Sequence, residues 1–104
     1  MIQGIIIQGT TPEHEFVLPF EVSQIRELRV SYGQKGREVL VKYNEDCVCS
    51  GKSIKVKLTQ EDTFLFNDRS VVEVQIKALK TNEEIYFDEG YTYRVKAILN
   101  NEIL

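Results

Sequence analysis

Alternation with a period of two runs through most of this sequence and decides its fold class first. In the stretch from Val71 to Leu79, Val72, Val74, Ile76 and Ala78 fall on one side, with Glu73, Gln75 and Lys77 on the other. From Ser53 to Leu58, Ile54, Val56 and Leu58 alternate with Lys55 and Lys57. Leu28, Val30 and Tyr32 form a third such face, and Val39, Val41 and Tyr43 a fourth. A strand turns successive side chains to opposite faces, whereas a helix brings every third or fourth residue to one stripe. No segment carries a sustained helical stripe, so an all-β fold is expected.

Turn signals cut this pattern into short pieces. Strands are expected at Ile5–Ile7, His14–Leu18, Val22–Tyr32, Arg37–Tyr43, Cys47–Cys49, Ser53–Leu58, Val71–Leu79, Ile85–Phe87 and Tyr91–Leu99. Between them lie Gly9 with Thr10-Thr11-Pro12, Gly33-Gln34-Lys35-Gly36, Ser50-Gly51-Lys52, Asn67-Asp68-Arg69-Ser70, Thr81-Asn82-Glu83-Glu84 and Asp88-Glu89-Gly90. The stretch Ser23–Leu28 reads as an irregular lead into its strand, with a helical turn capped by Ser23 as the alternative. Thr59 followed by Asp62 has the form of a helix cap, so one helical turn is expected there. Seven to nine short strands, each with one wet and one dry face, suit two sheets packed face to face. The pattern resembles an immunoglobulin-like antiparallel β-sandwich, without the tryptophan and inter-sheet cysteines of antibody domains. At 104 residues the chain, 1–104, reads as a single domain.

Charge and composition narrow the function. Thirteen basic against sixteen acidic residues give a net charge of -3, which is not the basic excess that nucleic-acid binding calls for. No polybasic patch suits an anionic membrane, and no apolar run is long enough to span one. Neither nucleic acid nor membrane is expected as a partner. The start of the chain lacks a basic n-region, so synthesis in a cytoplasm is expected. Cys47 and Cys49 are one residue apart and read as reduced thiols, one buried and one partly exposed. Lys35, Arg37, Lys52, Lys55 and Lys57 are candidates for a local basic patch, though alternating lysines more often keep a strand's wet face soluble.

No chemistry-bearing constellation stands out. His14 is the sole histidine and reads as a surface residue between Glu13 and Glu15. One Cys-x-Cys pair and one distant histidine fall short of a structural zinc set. The acidic pairs Glu61-Asp62, Glu83-Glu84 and Asp88-Glu89 lie in turn signals. No catalytic residue, metal ligand or cofactor is therefore expected. Interaction residues are better represented. Tyr86 should face water if Ile85 and Phe87 face the core, Leu65 opposes Phe64 and Phe66, and Phe20 follows Pro19. Phe20, Leu65 and Tyr86 are the candidate interaction surface, because exposed large apolar side chains among polar neighbours are common at protein interfaces.

Ile25 to Tyr32, Val39 to Lys42, Val56 to Thr63 and Val72 to Ile76 together resemble small uncharacterised proteins encoded in prophages of Gram-positive bacteria. The run Leu58-Thr59-Gln60-Glu61-Asp62-Thr63 is the most specific element of the resemblance, which covers most of the chain. At the level of pattern the chain is also similar to N-terminal β-sandwich domains of phage baseplate proteins. The resemblance implies no catalytic residues. It implies a virion-associated structural or accessory role, in the tail or baseplate, after synthesis in the host cytoplasm. The expected partner is a second copy of the chain or a phage structural protein. The alternative is a carbohydrate or cell-wall ligand-binding module, for which Tyr86 beside Tyr91 or Tyr93 would form the platform.

Overall fold

The alternating segments become strands because each can bury one side and wet the other. The computed structural model describes residues 2–104. Its strands are β1 (Ile2–Ile7), β2 (Glu13–Val17), β3 (Ile25–Gln34), β4 (Arg37–Tyr43), β5 (Cys47–Ser50), β6 (Ser53–Lys57), β7 (Val72–Lys80) and β8 (Ile85–Lys96). One helix, α1 (Gln60–Phe64), and two 3-10 turns, Val22–Gln24 and Asn44–Asp46, complete the elements. The strands form a five-stranded sheet in the order β1-β8-β7-β3-β4 and a three-stranded sheet in the order β2-β6-β5.

The core is built by the faces that alternation marks. Val72, Val74, Ile76 and Ala78 of β7 and Leu28, Val30 and Tyr32 of β3 are buried, as are Phe16 of β2 and Ile54 and Val56 of β6. Leu18, Leu58 and Phe66 close the same cluster from the connections, and Ile6 and Tyr93 join it from β1 and β8. Each large side chain so buried contributes about 1.5–3 kcal/mol relative to leaving it in water.

Several expectations are corrected. Not every pairing is antiparallel: β1 lies parallel to β8, with Ile5 beside Arg94 and Ile7 beside Lys96. The partners come from the two ends of the described chain, so no hairpin fixes their direction. Strands adjacent in sequence do not all pair: β6 pairs with β2 as well as β5, and β4 does not pair with β5. The lead into β3 is a 3-10 turn, Val22–Gln24, whose N-cap position is Glu21, without a side-chain cap bond, rather than Ser23.

The correction with most consequence concerns β8. Ile85–Phe87 and Tyr91–Leu99 are not separate strands divided by a turn. One strand runs through Asp88-Glu89-Gly90 to Lys96 and stops three residues short of Leu99. Val74 pairs with Tyr91 and Ile76 with Asp88, so Gln75 opposes two residues, Glu89 and Gly90. That is a β-bulge, with Gly90 at a φ of +103°. An extra residue shifts side-chain parity by one. Tyr91 and Tyr93 therefore face the core side after the bulge, while before it Tyr86 does, opposite Ala78.

The connections are pinned by side chains. Thr59 caps α1 through its hydroxyl, which accepts from the Asp62 backbone, and Asp62 accepts in turn from the Thr59 backbone. Gln34 donates to the carbonyls of Asn67 and Ser70 and accepts from the Asn67 backbone. Gly9 cannot be replaced cheaply: it has a φ of +78°, and a Cβ there would lie 2.7 Å from the Phe64 ring.

Candidate functional site

The outer face of the five-stranded sheet holds apolar surface that the fold does not use. Before the bulge, Tyr86 turns inward, so Ile85 and Phe87 turn outward, 57% and 51% exposed. Register then aligns side chains from four strands. Phe87 pairs with Lys77, Lys77 with Arg29, and Arg29 with Tyr43. The result is a row of two cations between two aromatic rings. The Arg29 guanidinium stands 4.6 Å over the Tyr43 ring and donates to the Leu28 carbonyl. Beside this row, Leu79 pairs with Ile85. A shallow cleft of about 260 Å³ lies here, lined by Glu27, Arg29, Lys77, Leu79 and Ile85.

The electrostatics of the row are open. Among the described residues, the ion pairs are Arg26–Glu83 and Lys42–Asp62, both 2.8 Å. Arg29 and Lys77 are in neither. Lys42–Asp62 is mostly buried and ties β4 to α1. Burial alone would raise the Asp62 carboxyl, but hydrogen bonds from Lys42 and Thr59, with the Lys42 charge, hold it below the usual carboxylate range.

The three residues expected from sequence do not form one surface. Leu65 is 55% exposed, at the C-terminal end of α1. Phe20 and Tyr86 are half-buried and meet edge to face, ring centroids 5.0 Å apart, with the Lys80 ammonium 4.6 Å over the Phe20 ring. They clasp the connection after β2 to the β7–β8 hairpin. This pair sits where β3 begins, since Gln24 accepts from the Thr81 backbone, whereas α1 leads to Asn67, bound to Gln34 where β3 ends. Ten strand residues separate those ends by about 30 Å. The inward turn of Tyr86 corrects the outward orientation read from sequence.

His14 is likewise corrected: it is buried, not on the surface. Its register partner is Val56, which faces the core. Its ring stacks on Tyr93 with centroids 4.3 Å apart, and its Nδ1 shares a 2.8 Å hydrogen bond with the Tyr32 hydroxyl. Burial lowers the imidazole pKa to about 4. The spacing of His14, Phe16 and Leu18 was the available signal, since all three share a parity opposite to Glu13 and Glu15. Burial also pushes the Tyr32 phenol far up, with smaller contributions from neighbouring ionisable groups.

Other candidate groups are placed as follows. Cys47 is half-buried and Cys49 exposed, both as free thiols. Burial, then the neighbouring Cys49 and Asp46, push the Cys47 thiol up to about 11, which keeps it protonated. Among the described residues, no three of His, Cys, Asp and Glu gather as a metal site. The basic candidates divide between sheets: Lys55 and Lys57 lie opposite Glu15 and Glu13, while Arg37 belongs to β4. Tyr93 is buried and Tyr91 packs edge to face on Phe16 at 4.8 Å, so these rings point inward with Tyr86. No helix among the described residues is long and apolar enough to cross a membrane. No family model matches the chain, and no curated protein matches it.

Proposed function

We propose that the chain is a non-catalytic structural module that binds another protein through the outer face of its five-stranded sheet, as part of a phage or prophage tail or baseplate. The carrying observation is the row Tyr43, Arg29, Lys77 and Phe87, extended by Leu79 and Ile85. Aromatic and arginine side chains around an apolar centre are the groups enriched in protein interfaces. Two cations outside the ion pairs of the described residues suit a partner surface that brings a carboxylate to the row. The phage setting rests on the resemblance carried by Leu58-Thr59-Gln60-Glu61-Asp62-Thr63 and its companion segments.

We also read the two sheets as an immunoglobulin-like sandwich. The support is strand order. Counted along the chain, the second, fifth and sixth strands form the smaller sheet, and the third, fourth, seventh and eighth belong to the larger. That matches strands B, D and E facing C, C′, F and G in variable-type domains. Between the two sheets, His14 of β2 stacks against Tyr32 of β3 and Tyr93 of β8.

Quantitative mass spectrometry of phage tails purified from the source of this chain tests the reading. The wild-type chain should be present in fixed stoichiometry. A Phe87→Asp chain should fold yet be depleted by roughly tenfold or more, since hot-spot aromatics are worth about 2 kcal/mol or more. Absence of the wild-type chain from the particles, or full retention of the variant, contradicts it.

A further inference from the structure

We propose that β1 is a self-association edge, through which two copies join antiparallel across a two-fold axis into one continuous sheet. This uses a different strand and different chemistry from the partner-binding face, and either can fail without the other.

β1 ends the five-stranded sheet, and its only strand partner among the described residues is β8. Its other side presents a row of backbone donors and acceptors without a ladder. Proteins usually guard such an edge with charge, proline or a bulge turned to solvent. From Ile2 to Gly9 this chain has no charged residue and no proline, and the register shift of β1 lies between Ile2 and Gly4, which leaves Ile5 to Ile7 in regular pairing. The other open edges are different. β2 carries Glu13 and Glu15, β4 carries Arg37, Glu38 and Lys42, and β5 is four residues long after Glu45-Asp46. The part of β8 left uncovered by β1, before Thr92, carries Asp88 and Glu89.

The absence of charge is what selects a second copy as the occupant. A two-fold pairing sets a strand against itself, so a charged edge such as β2 meets its own carboxylates. β1 meets only isoleucine, glutamine and glycine. The side chains agree: Ile5 is 60% exposed, and Ile2 and Ile7 are also exposed. The segment after β8 adds Ile98, also exposed. It adjoins β1, because a Cβ built on Gly9 would lie 3.1 Å from the Ile98 side chain. Ile2, Ile5, Ile7 and Ile98 therefore leave apolar surface in water beside this edge. Pairing β1 with β1 covers both the backbone row and the isoleucines beside it.

Sedimentation velocity across a concentration series tests the proposal. The wild-type chain should sediment at twice its 12.0 kDa mass. Ile5→Lys and Ile7→Lys, each placed outward, should weaken the dimer by roughly tenfold or more while leaving circular dichroism unchanged. Phe87→Asp should leave the dimer intact. A wild-type monomer at every concentration overturns the proposal, as does a series of open polymers. A dimer that survives both lysine variants overturns it too. Loss of the dimer in Phe87→Asp alone moves the interface to the outer face, overturning the β1 assignment while sparing the partner-binding reading.

Discussion

Tyr32→Ala should lose its cooperative unfolding transition at physiological temperature. Tyr32 is completely buried and is the largest of the fully buried side chains. Its ring lies between His14 and Phe66, with centroids 5.7 and 5.9 Å away. Truncating a buried aromatic to alanine costs about 3–5 kcal/mol, because the surroundings collapse only partly into the cavity. The His14 Nδ1 also loses its hydrogen-bond partner, which adds about 1–3 kcal/mol. A chain of this length has about 5–15 kcal/mol in total, so the sum removes about half of it or more. Tyr32→Phe separates the two contributions: the ring stays, and the expected loss is only that of the hydrogen bond, about 1–3 kcal/mol. Urea titration followed by circular dichroism reads both. A Tyr32→Ala chain with a wild-type midpoint would mean that the ring is not in the core.

Acid should weaken the chain well above the range where carboxylates titrate. Burial holds the folded His14 pKa near 4, against 6.5 in the unfolded chain. Between those values the unfolded state binds the extra proton, so acid favours unfolding. The contribution of neutral His14 is complete above about pH 6.5 and is lost as pH falls toward 4. With allowance for residual solvent screening, the loss is about 2–3 kcal/mol across that window. The phenols of Tyr32 and Tyr93 face the imidazole and stay neutral throughout, so they do not compensate the proton. Asp62, held below its usual range, adds a further loss at lower pH, as its ion pair with Lys42 is broken. Stability measured from pH 7 to 5 should fall in the wild type and stay nearly level in His14→Gln. A level wild-type profile would place His14 in water.

The faces of β6 and β7 were legible in the sequence because nothing interrupts their inward parity. From Ile54 to Leu58 and from Val72 to Ala78 every second residue is buried. His14 was legible too, through its shared parity with Phe16 and Leu18, but polarity masked it. A neutral imidazole can be buried when it stacks and keeps one hydrogen bond. The direction of Tyr86 was not legible. Asp88-Glu89-Gly90 has the chemistry of a turn, and a bulge draws on the same residues, with glycine supplying the positive φ. Only pairing with β7 shows that the strand continues, and that choice inverts Ile85, Tyr86 and Phe87. The outer row was less legible still. Its four side chains come from four strands, and cross-strand register is a property of the assembled sheet. Leu65 needed no register, because the residue opposing Phe66 at the end of α1 is exposed on local geometry alone.

The bulge sends Tyr86 into the fold and leaves Phe87 outward, on the face proposed to bind a partner. Paired thermal melts of Tyr86→Asp and Phe87→Asp test it most directly. In the folded chain Tyr86 packs on Phe20, and a carboxylate there would also face Asp88. Tyr86→Asp should therefore cost about 2 kcal/mol or more, which lowers the melting temperature by roughly 8 °C or more. Phe87→Asp removes only an outward side chain, and should stay within about 3 °C of wild type. The reverse order, with Phe87→Asp the damaging change and Tyr86→Asp silent, would contradict the bulge and the proposed binding face together.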